Sequence, residues 1–368
     1  CLHGGVTIKI NQINKQLSFI IHPNIEDKSR FISEEMLDEI SNLAINLDIR
    51  VQEKKIINIK KISPSTLIGT GVLEEIKKKI KTYKINLLIC NCSLTPAQQK
   101  NLENFLKIKV TDRVGIIIEI FAKRALSNEG KLQVELAELI YRKSRLVRAW
   151  THLERQRGGT TFIGGPGELQ IELDRRLIQE KIINIKKRLK KVQKRRNIQR
   201  KSRIRNNFKT FALVGYTNAG KTLLFNKLTK GQQASKDILF QTLDTKISKI
   251  FLKDGINVGL IDTVGFINNI PTQLVESFKA TLEEIHSADY LINVVDINDE
   301  NSKDKIKTTK KILRDTGVDE KKLSKMMTVF NKIDVKKIES LNLKGKNYVS
   351  ALTGEGVNEL KNSLTELF

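Results

Sequence analysis

The stretch Thr210-Phe211-Ala212-Leu213-Val214-Gly215-Tyr216-Thr217-Asn218-Ala219-Gly220-Lys221-Thr222 decides the fold. Its first five residues form a short strand-like apolar run. The next eight match G-x-x-x-x-G-K-[ST], a strand–loop–helix pattern that wraps phosphates. The glycines let backbone N–H groups turn inward, Lys221 neutralises β- and γ-phosphate oxygens, and the Thr222 hydroxyl is a ligand for Mg²⁺. On its own the pattern admits ATP and GTP alike.

Three further motifs follow in the order this fold requires. After the run Val258–Ile261 stands Asp262-Thr263-Val264-Gly265, where Asp262 would hold Mg²⁺ through water and the Gly265 N–H would sense a γ-phosphate. After Met327–Phe330 stands Asn331-Lys332-Ile333-Asp334. A carboxylate at Asp334 accepts hydrogen bonds from guanine N1 and N2, a donor pair that adenine lacks. Ser350-Ala351-Leu352 ends the next strand, where a backbone N–H would meet the guanine O6. Between the first two motifs, Phe240-Gln241-Thr242-Leu243-Asp244 is placed to order over the γ-phosphate, with Thr242 favoured over Thr245 to complete the Mg²⁺ shell. The expectation is a GTP-binding domain over residues 209–368 that converts GTP to GDP and phosphate. All four motifs contact the nucleotide, Lys221, Thr242 and Gly265 form the catalytic set, and Thr222 and Thr242 are the metal ligands. Phe266 stands where many GTPases place a water-orienting glutamine, so turnover is expected to be slow alone and raised by a partner.

Outward from this domain the character changes. Of the formal net charge of +25, residues 209–368 carry +4 (24 Lys and Arg against 20 Asp and Glu), which leaves +21 for residues 1–208. Residues 181–209 hold 14 Lys or Arg and no acid, which makes a phosphate backbone the natural partner. Residues 1–125 alternate strand and helix signals: a strand at Ser18–Ile21, a helix over Ser33–Leu47 opened by Ser33, a strand at Leu87–Cys90, and a helix capped by Thr95 with Pro96 at its first position. Gly69-Thr70-Gly71, just before a helix, could receive an anion, but a lone Gly-x-Gly is a weak signal and a turn without a ligand is the favoured reading. Residues 126–208 take a helical period. Leu132, Leu136, Leu139 and Leu146 form one seam and Ile178, Ile182, Ile185, Leu189 and Val192 a second, which predicts an antiparallel hairpin. Its tip, about residues 156–168, has five glycines and a proline within residues 158–167 and is flanked by Arg148, Trp150, His152, Arg155 and Arg157, side chains suited to RNA bases and phosphates.

A mean hydropathy of −0.30 and the lack of any apolar run near the roughly 18 residues of a membrane span argue against membrane insertion. Three cysteines (Cys1, Cys90, Cys92) supply no disulfide framework, four scattered histidines supply no metal spacing, and no secretory signal opens the chain, so a reducing cytoplasm is the expected compartment.

The P-loop, Asp262-Thr263-Val264-Gly265-Phe266, Thr111-Asp112-Arg113, Glu129-Gly130-Lys131-Leu132-Gln133-Val134-Glu135-Leu136, Trp150-Thr151-His152-Leu153-Glu154-Arg155-Gln156, Gly165-Pro166-Gly167-Glu168 and Asp174-Arg175-Arg176 together resemble the HflX family of translation-associated bacterial GTPases, from about residue 15 onward. The resemblance implies an α/β architecture: a P-loop GTPase domain with a mixed, mostly parallel sheet and helices on both faces, preceded by a small α/β domain and a long antiparallel helical hairpin. It also implies binding to the large ribosomal subunit through ribosomal RNA, with GTP and GDP as ligands, and splitting of stalled ribosomes; a monomer is the expected state. The competing expectation is an RNA-binding or ribosome-assembly protein that uses GTP as a ligand switch with little hydrolysis.

Overall fold

The structure is a computed structural model and describes residues 16–25, 30–146, 166–206, 208–229, 240, 242–243, 245–267, 279–335 and 347–367. The chain forms two compact units, one of residues 1–120 with 140–179 and the other of residues 121–139 with 180–368.

The first unit is built on β1 (Leu17–Asn24), β2 (Arg50–Asn58), β3 (Leu87–Cys90) and β4 (Lys109–Asp112). They form a wholly parallel sheet in the order β2-β1-β3-β4. Parallel strands need crossovers, supplied here by α1 (Arg30–Ile45), α2 (Thr70–Thr82) and α3 (Pro96–Leu106), with α4 (Arg113–Arg124) following β4. One face of the sheet carries Phe19, Ile21, Leu88 and Cys90 into a core with Leu73, Ile76 and Leu102. Burial there pushes the Cys90 thiol well above its usual range and Cys92 up to about 12, so both are neutral core groups. Thr95 caps α3 as expected. Its hydroxyl accepts from Gln98 N, and its own N–H donates to the Gln98 side chain, a reciprocal box the sequence reading did not include. Ser33 is different: α1 begins at Arg30, so Ser33 lies inside the helix, buried and with an unbonded hydroxyl, and does not open it. The helix α2 begins at Thr70 and takes Gly71 into its first turn.

Two long helices follow, α5 (Asn128–Leu146) and α6 (Pro166–Arg205). Lys143 donates to Gln179, and Glu129 pairs with Arg196 at 2.7 Å. Each of these contacts joins α5 to α6 within one of the two units. Ile182 and Ile185 are buried and Ile178, Leu189 and Val192 half-buried, so the expected seam is the packed face. The tip residues Arg148, Trp150, His152, Arg155 and Arg157 lie outside the described residues.

The second unit contains a six-stranded sheet of β5 (Thr210–Val214), β6 (Lys246–Phe251), β7 (Asn257–Asp262), β8 (Tyr290–Asp296), β9 (Met327–Asn331) and β10 (Asn347–Tyr348), ordered β10-β9-β8-β5-β7-β6. Every pair is parallel except β6 with β7. Central β5 shows why both faces are covered, since successive side chains point to opposite sides. Phe211 and Leu213 join a core with α7 (Lys221–Thr229) and α11 (Val357–Thr365). Ala212 and Val214 join a second core with α8 (Lys279–Ser287), α9 (Ser302–Asp315) and α10 (Glu320–Ser324). The result is the mixed, mostly parallel α/β sheet that the motifs require.

Candidate functional site

At the carboxyl ends of β5, β7 and β9 the four motifs converge on a cleft of about 350 Å³, lined among others by Lys221, Thr222, Thr242, Gly265, Asn331 and Asp334. Strand β5 enters from the centre of the sheet and the chain turns sharply into α7. Gly220 has φ +86°, and a Cβ there would sit 2.2 Å from Asn331 Nδ2, so no other residue fits this turn. Lys221 is buried. Its ammonium donates to the carbonyls of Gly215 (3.0 Å) and Tyr216 (2.6 Å), which aims it across its own loop. Burial lowers its pKa to about 8, against the opposing pull of the Asp262 charge.

Behind the lysine, Thr222 and Thr242 each donate to Asp262 Oδ2, at 2.9 and 2.6 Å, while the two hydroxyl oxygens lie 2.6 Å apart. Two hydroxyl hydrogens serve three short oxygen–oxygen contacts. Asp262 Oδ1 is buried with no hydrogen-bond partner. Burial pushes this carboxyl above its usual range, although both threonines and Lys221 favour the charged form. An oxygen-rich, underprotonated cluster with an orphaned carboxylate oxygen matches the donor chemistry that Mg²⁺ takes from a protein. Thr242 is the threonine drawn into this cluster.

The chain after Asp262 is bolted to the phosphate loop. Thr263 Oγ1 donates to the Leu213 carbonyl, Thr217 N to the Phe266 carbonyl at 2.8 Å, and Phe266 N to the Gly215 carbonyl at 3.0 Å. At Gly265 a Cβ would meet Thr217 Cα at 2.8 Å and Lys221 Nζ at 3.0 Å, so only glycine fits against this loop. Val264 is buried, and Phe266 packs with Tyr216 and Ile285. In front of the loop Phe240 takes a positive φ of 54° and stacks edge-on against Phe121, centroids 4.8 Å apart, while Leu243 is buried. Gln241 and Asp244 lie outside the described residues.

The far end of the cleft is shaped by side chains that hold backbone. Asn331 donates to the Ala219 carbonyl and accepts from Ala351 N, both at 2.9 Å, and so ties the phosphate loop to the Ser350–Leu352 segment. Asp334 Oδ1 accepts from Ser350 Oγ at 2.6 Å, while Ser350 Oγ also receives Thr353 N. Ile333 is buried, and Lys332, at φ +69°, pairs with Asp296 at 2.8 Å. Asn218 and Leu352 border the opening. Asp296, Phe121 and the backbone bonds of Phe266 were absent from the sequence reading. Asp296 ends an apolar strand, a position where a polar residue is a usable signal; the other two carry no local mark.

The cleft thus brings the Gly215–Thr222 loop and the threonine–aspartate cluster to one end and Asn331, Asp334 and the Ser350–Leu352 segment to the other. Residues 34–122 match the family described as GTP-binding GTPase N-terminal, 124–203 the GTP-binding GTPase middle region, and 210–332 the 50S ribosome-binding GTPase. The chain is 45% identical to GTPase HflX of Magnetococcus marinus over 343 residues, 91% of this chain and 78% of that protein. It is 41% identical to GTPase HflX of Escherichia coli over 310 residues, 82% and 72% respectively. The crystal structure of SsGBP in complex with GDP aligns with a TM-score of 0.50 at 25% identity, covering 96% of this chain and 98% of that one. With these motifs gathered at one sheet edge and relatives 45% and 41% identical over most of its length, the chain belongs to the HflX family of GTPases.

Proposed function

We propose that this GTPase binds the large ribosomal subunit and uses GTP to remodel ribosomes, splitting stalled ones, with the state of the nucleotide deciding how its N-terminal arm holds ribosomal RNA. The observation that carries this reading is the pairing of the cleft on which the nucleotide motifs of residues 209–368 converge with a net charge of +21 in residues 1–208. The division of labour is a small α/β domain in residues 1–125, a hairpin with a basic linker in residues 126–208, and the nucleotide domain thereafter. The protein works as a cytoplasmic monomer; among the described residues no helix is long and apolar enough to cross a membrane.

Within the cleft, Lys221 and the N–H groups of the Gly215–Thr222 loop bind the phosphates. Thr222, Thr242 and Asp262 are the residues that would hold Mg²⁺. Bound there, the ion neutralises charge that builds on the phosphate oxygens. Gly265 N–H donates to the γ-phosphate, Phe240 to Asp244 order over it, and Asp334, Asn331 and the Ser350–Leu352 backbone read guanine. Phe266 offers no polar group to a water and its side chain is packed in the core, so the attacking water is positioned from outside the chain and turnover alone is slow. That same residue favours the second reading, a ligand switch with little hydrolysis.

Single-turnover hydrolysis of GTP and ATP, with no partner and then with each ribosomal subunit, tests the proposal. The expected outcome is GTP preference and a rise of at least about tenfold with large subunits, the scale of supplying a missing transition-state group. Equal rates with and without subunits favour the switch reading, and ATP preference removes the role of Asp334.

A further inference from the structure

One stripe of α6 is committed to the helix that follows the Asp262–Phe266 segment. Gln193, Arg196, Arg200 and Arg203 are spaced 3, 4 and 3 apart, the period that lines up side chains on one helical face. Gln193 donates to Glu283 of α8 at 2.5 Å. The three arginines all turn to Glu284 of α8, at 4.0, 3.4 and 3.3 Å, and Arg196 also reaches Glu129 of α5 at 2.7 Å. Glu284 is buried. Its chain neighbour Ile285 lies in the apolar cluster of Phe266 and Tyr216, and Phe266 exchanges two backbone hydrogen bonds with the phosphate loop. A continuous path of packed and hydrogen-bonded groups therefore leads from the loop to α6 within one compact unit.

Stability does not call for this chemistry. A buried ion cluster loses hydration on both signs of charge, and apolar side chains of similar volume hold two helices together at least as well. Three guanidinium groups on one carboxylate instead make the contact directional, because any displacement of α8 changes all three distances together. We propose that Glu284 is a positioning residue that couples the nucleotide site to α6: when the Asp262–Phe266 segment adjusts to the terminal phosphate, Ile285 and Glu284 move with it, and the arginine stripe carries the shift into the helix with the densest run of positive charge. The inference rests on the GTP-driven reading above and names the contact through which the arm learns the state of the nucleotide.

Amide hydrogen exchange of the full chain, bound to GDP and then to a non-hydrolysable GTP analogue, tests it. In the wild type, peptides across residues 181–205 should differ in protection between the two states. Glu284→Gln should shrink that difference at least about fivefold while GTP affinity stays within about twofold, the signature of lost coupling with an intact site. Glu284→Asp, which keeps the charge, should restore most of it. A merely structural role would lower the melting temperature of Glu284→Gln and leave the difference at wild-type size, and that result overturns the inference. So does a wild type whose α6 peptides do not distinguish the two states. Should Glu284→Gln fail to fold, Arg200→Gln carries the same test, since Arg196 and Arg203 still pair the carboxylate. Large subunits play no part in this measurement, so their failure to stimulate hydrolysis would count against the ribosomal reading alone.

Discussion

Two aspartates occupy equivalent places in the two sheets. Asp112 ends β4 of the N-terminal unit, and Asp262 ends β7 of the nucleotide unit; both are buried at the carboxyl edge of a parallel strand. Asp112 is saturated. Its Oδ2 accepts from Leu94 N and Arg145, and its Oδ1 from Gly115 N and Tyr141. Beside it Arg113 bonds to Asn91 and Glu39, and Asn91 to His22 and the Met36 carbonyl. Asp262 accepts two hydroxyls on one oxygen and leaves the other bare. Carboxyl edges of parallel sheets gather loops and helix N-termini and are where α/β folds place ligands. In this chain the edge whose polar groups satisfy one another is a clasp, and the edge whose groups fall short is the candidate site. Thr111-Asp112-Arg113, although part of the family resemblance, belongs to the clasp.

The largest expected effect is at Lys221. Lys221→Ala should weaken GTP binding about a thousandfold, the scale of losing one partner of a buried charge pair. The fold should survive, because burying this ammonium costs stability and does not supply it. Titration with a fluorescent guanine nucleotide and a thermal melt check both halves. A variant that binds poorly because it unfolds would show that the lysine, like Asp112, is a clasp.

The aspartates themselves give a reciprocal test. Asp262→Asn should cost about 10–100-fold in Mg²⁺-dependent binding and hydrolysis, the range for a group that orients a metal through water, and should leave the melting temperature unchanged or raised. Asp112→Asn should do the opposite. It leaves Arg145 and Tyr141 facing a neutral amide and should remove about 3 kcal/mol from the N-terminal unit, with GTP affinity kept. Equal loss of stability in both variants would erase the distinction.

The same contrast explains what the sequence made legible. The strands β3, β5 and β7 are largely apolar runs buried on both faces, β9 is a half-buried one, and they announce themselves. The phosphate loop, Asp262, Asn331 and Asp334 are legible because each must sit at a fixed offset from a strand end. The clasp is not. Asp112 meets Tyr141 and Arg145 across about thirty residues of chain, and Glu284 meets Arg200 across more than eighty, so no local spacing records them. Ser33 misled for a local reason: serine is a good helix cap, but α1 starts one turn earlier and encloses it. Phe266 stands in the sequence as a missing glutamine, and its backbone, which the sequence does not display, ties the segment to the loop.

A smaller effect is expected at the base. Ser350 holds Asp334 Oδ1, and among the described residues no hydrogen bond is made to Oδ2. Asp334→Asn should weaken GTP about 10–100-fold, the worth of hydrogen bonds to a charged acceptor, and should improve xanthosine triphosphate, whose carbonyl replaces the guanine amine. Competition between the two nucleotides measures the exchange. Wild-type affinity for GTP with no gain for xanthosine would mean that Asp334 serves Ser350 alone, as a clasp on the nucleotide side.

The smallest effect is a proton. Burial holds the Lys221 ammonium at a pKa of about 8, well below the 10.5 of a solvated lysine. Between these values the unfolded chain binds more protons than the folded one, so the cost of burying the charge is present below pH 8 and is relieved as pH rises toward 10.5. Binding runs the other way. Phosphates need the ammonium, so the complex must take up whatever proton the free protein has lost. That is about half a proton at pH 8 and about a tenth at pH 7, and GTP affinity should be about fourfold weaker at pH 8.5 than at pH 7. Calorimetry in two buffers of different ionisation enthalpy counts the proton directly. Asp112, whose partners lie outside the nucleotide unit, should leave this count unchanged in its Asn variant. No uptake at pH 8 in the wild type would mean that the lysine stays fully charged in its loop, held by the Gly215 and Tyr216 carbonyls strongly enough to offset its burial.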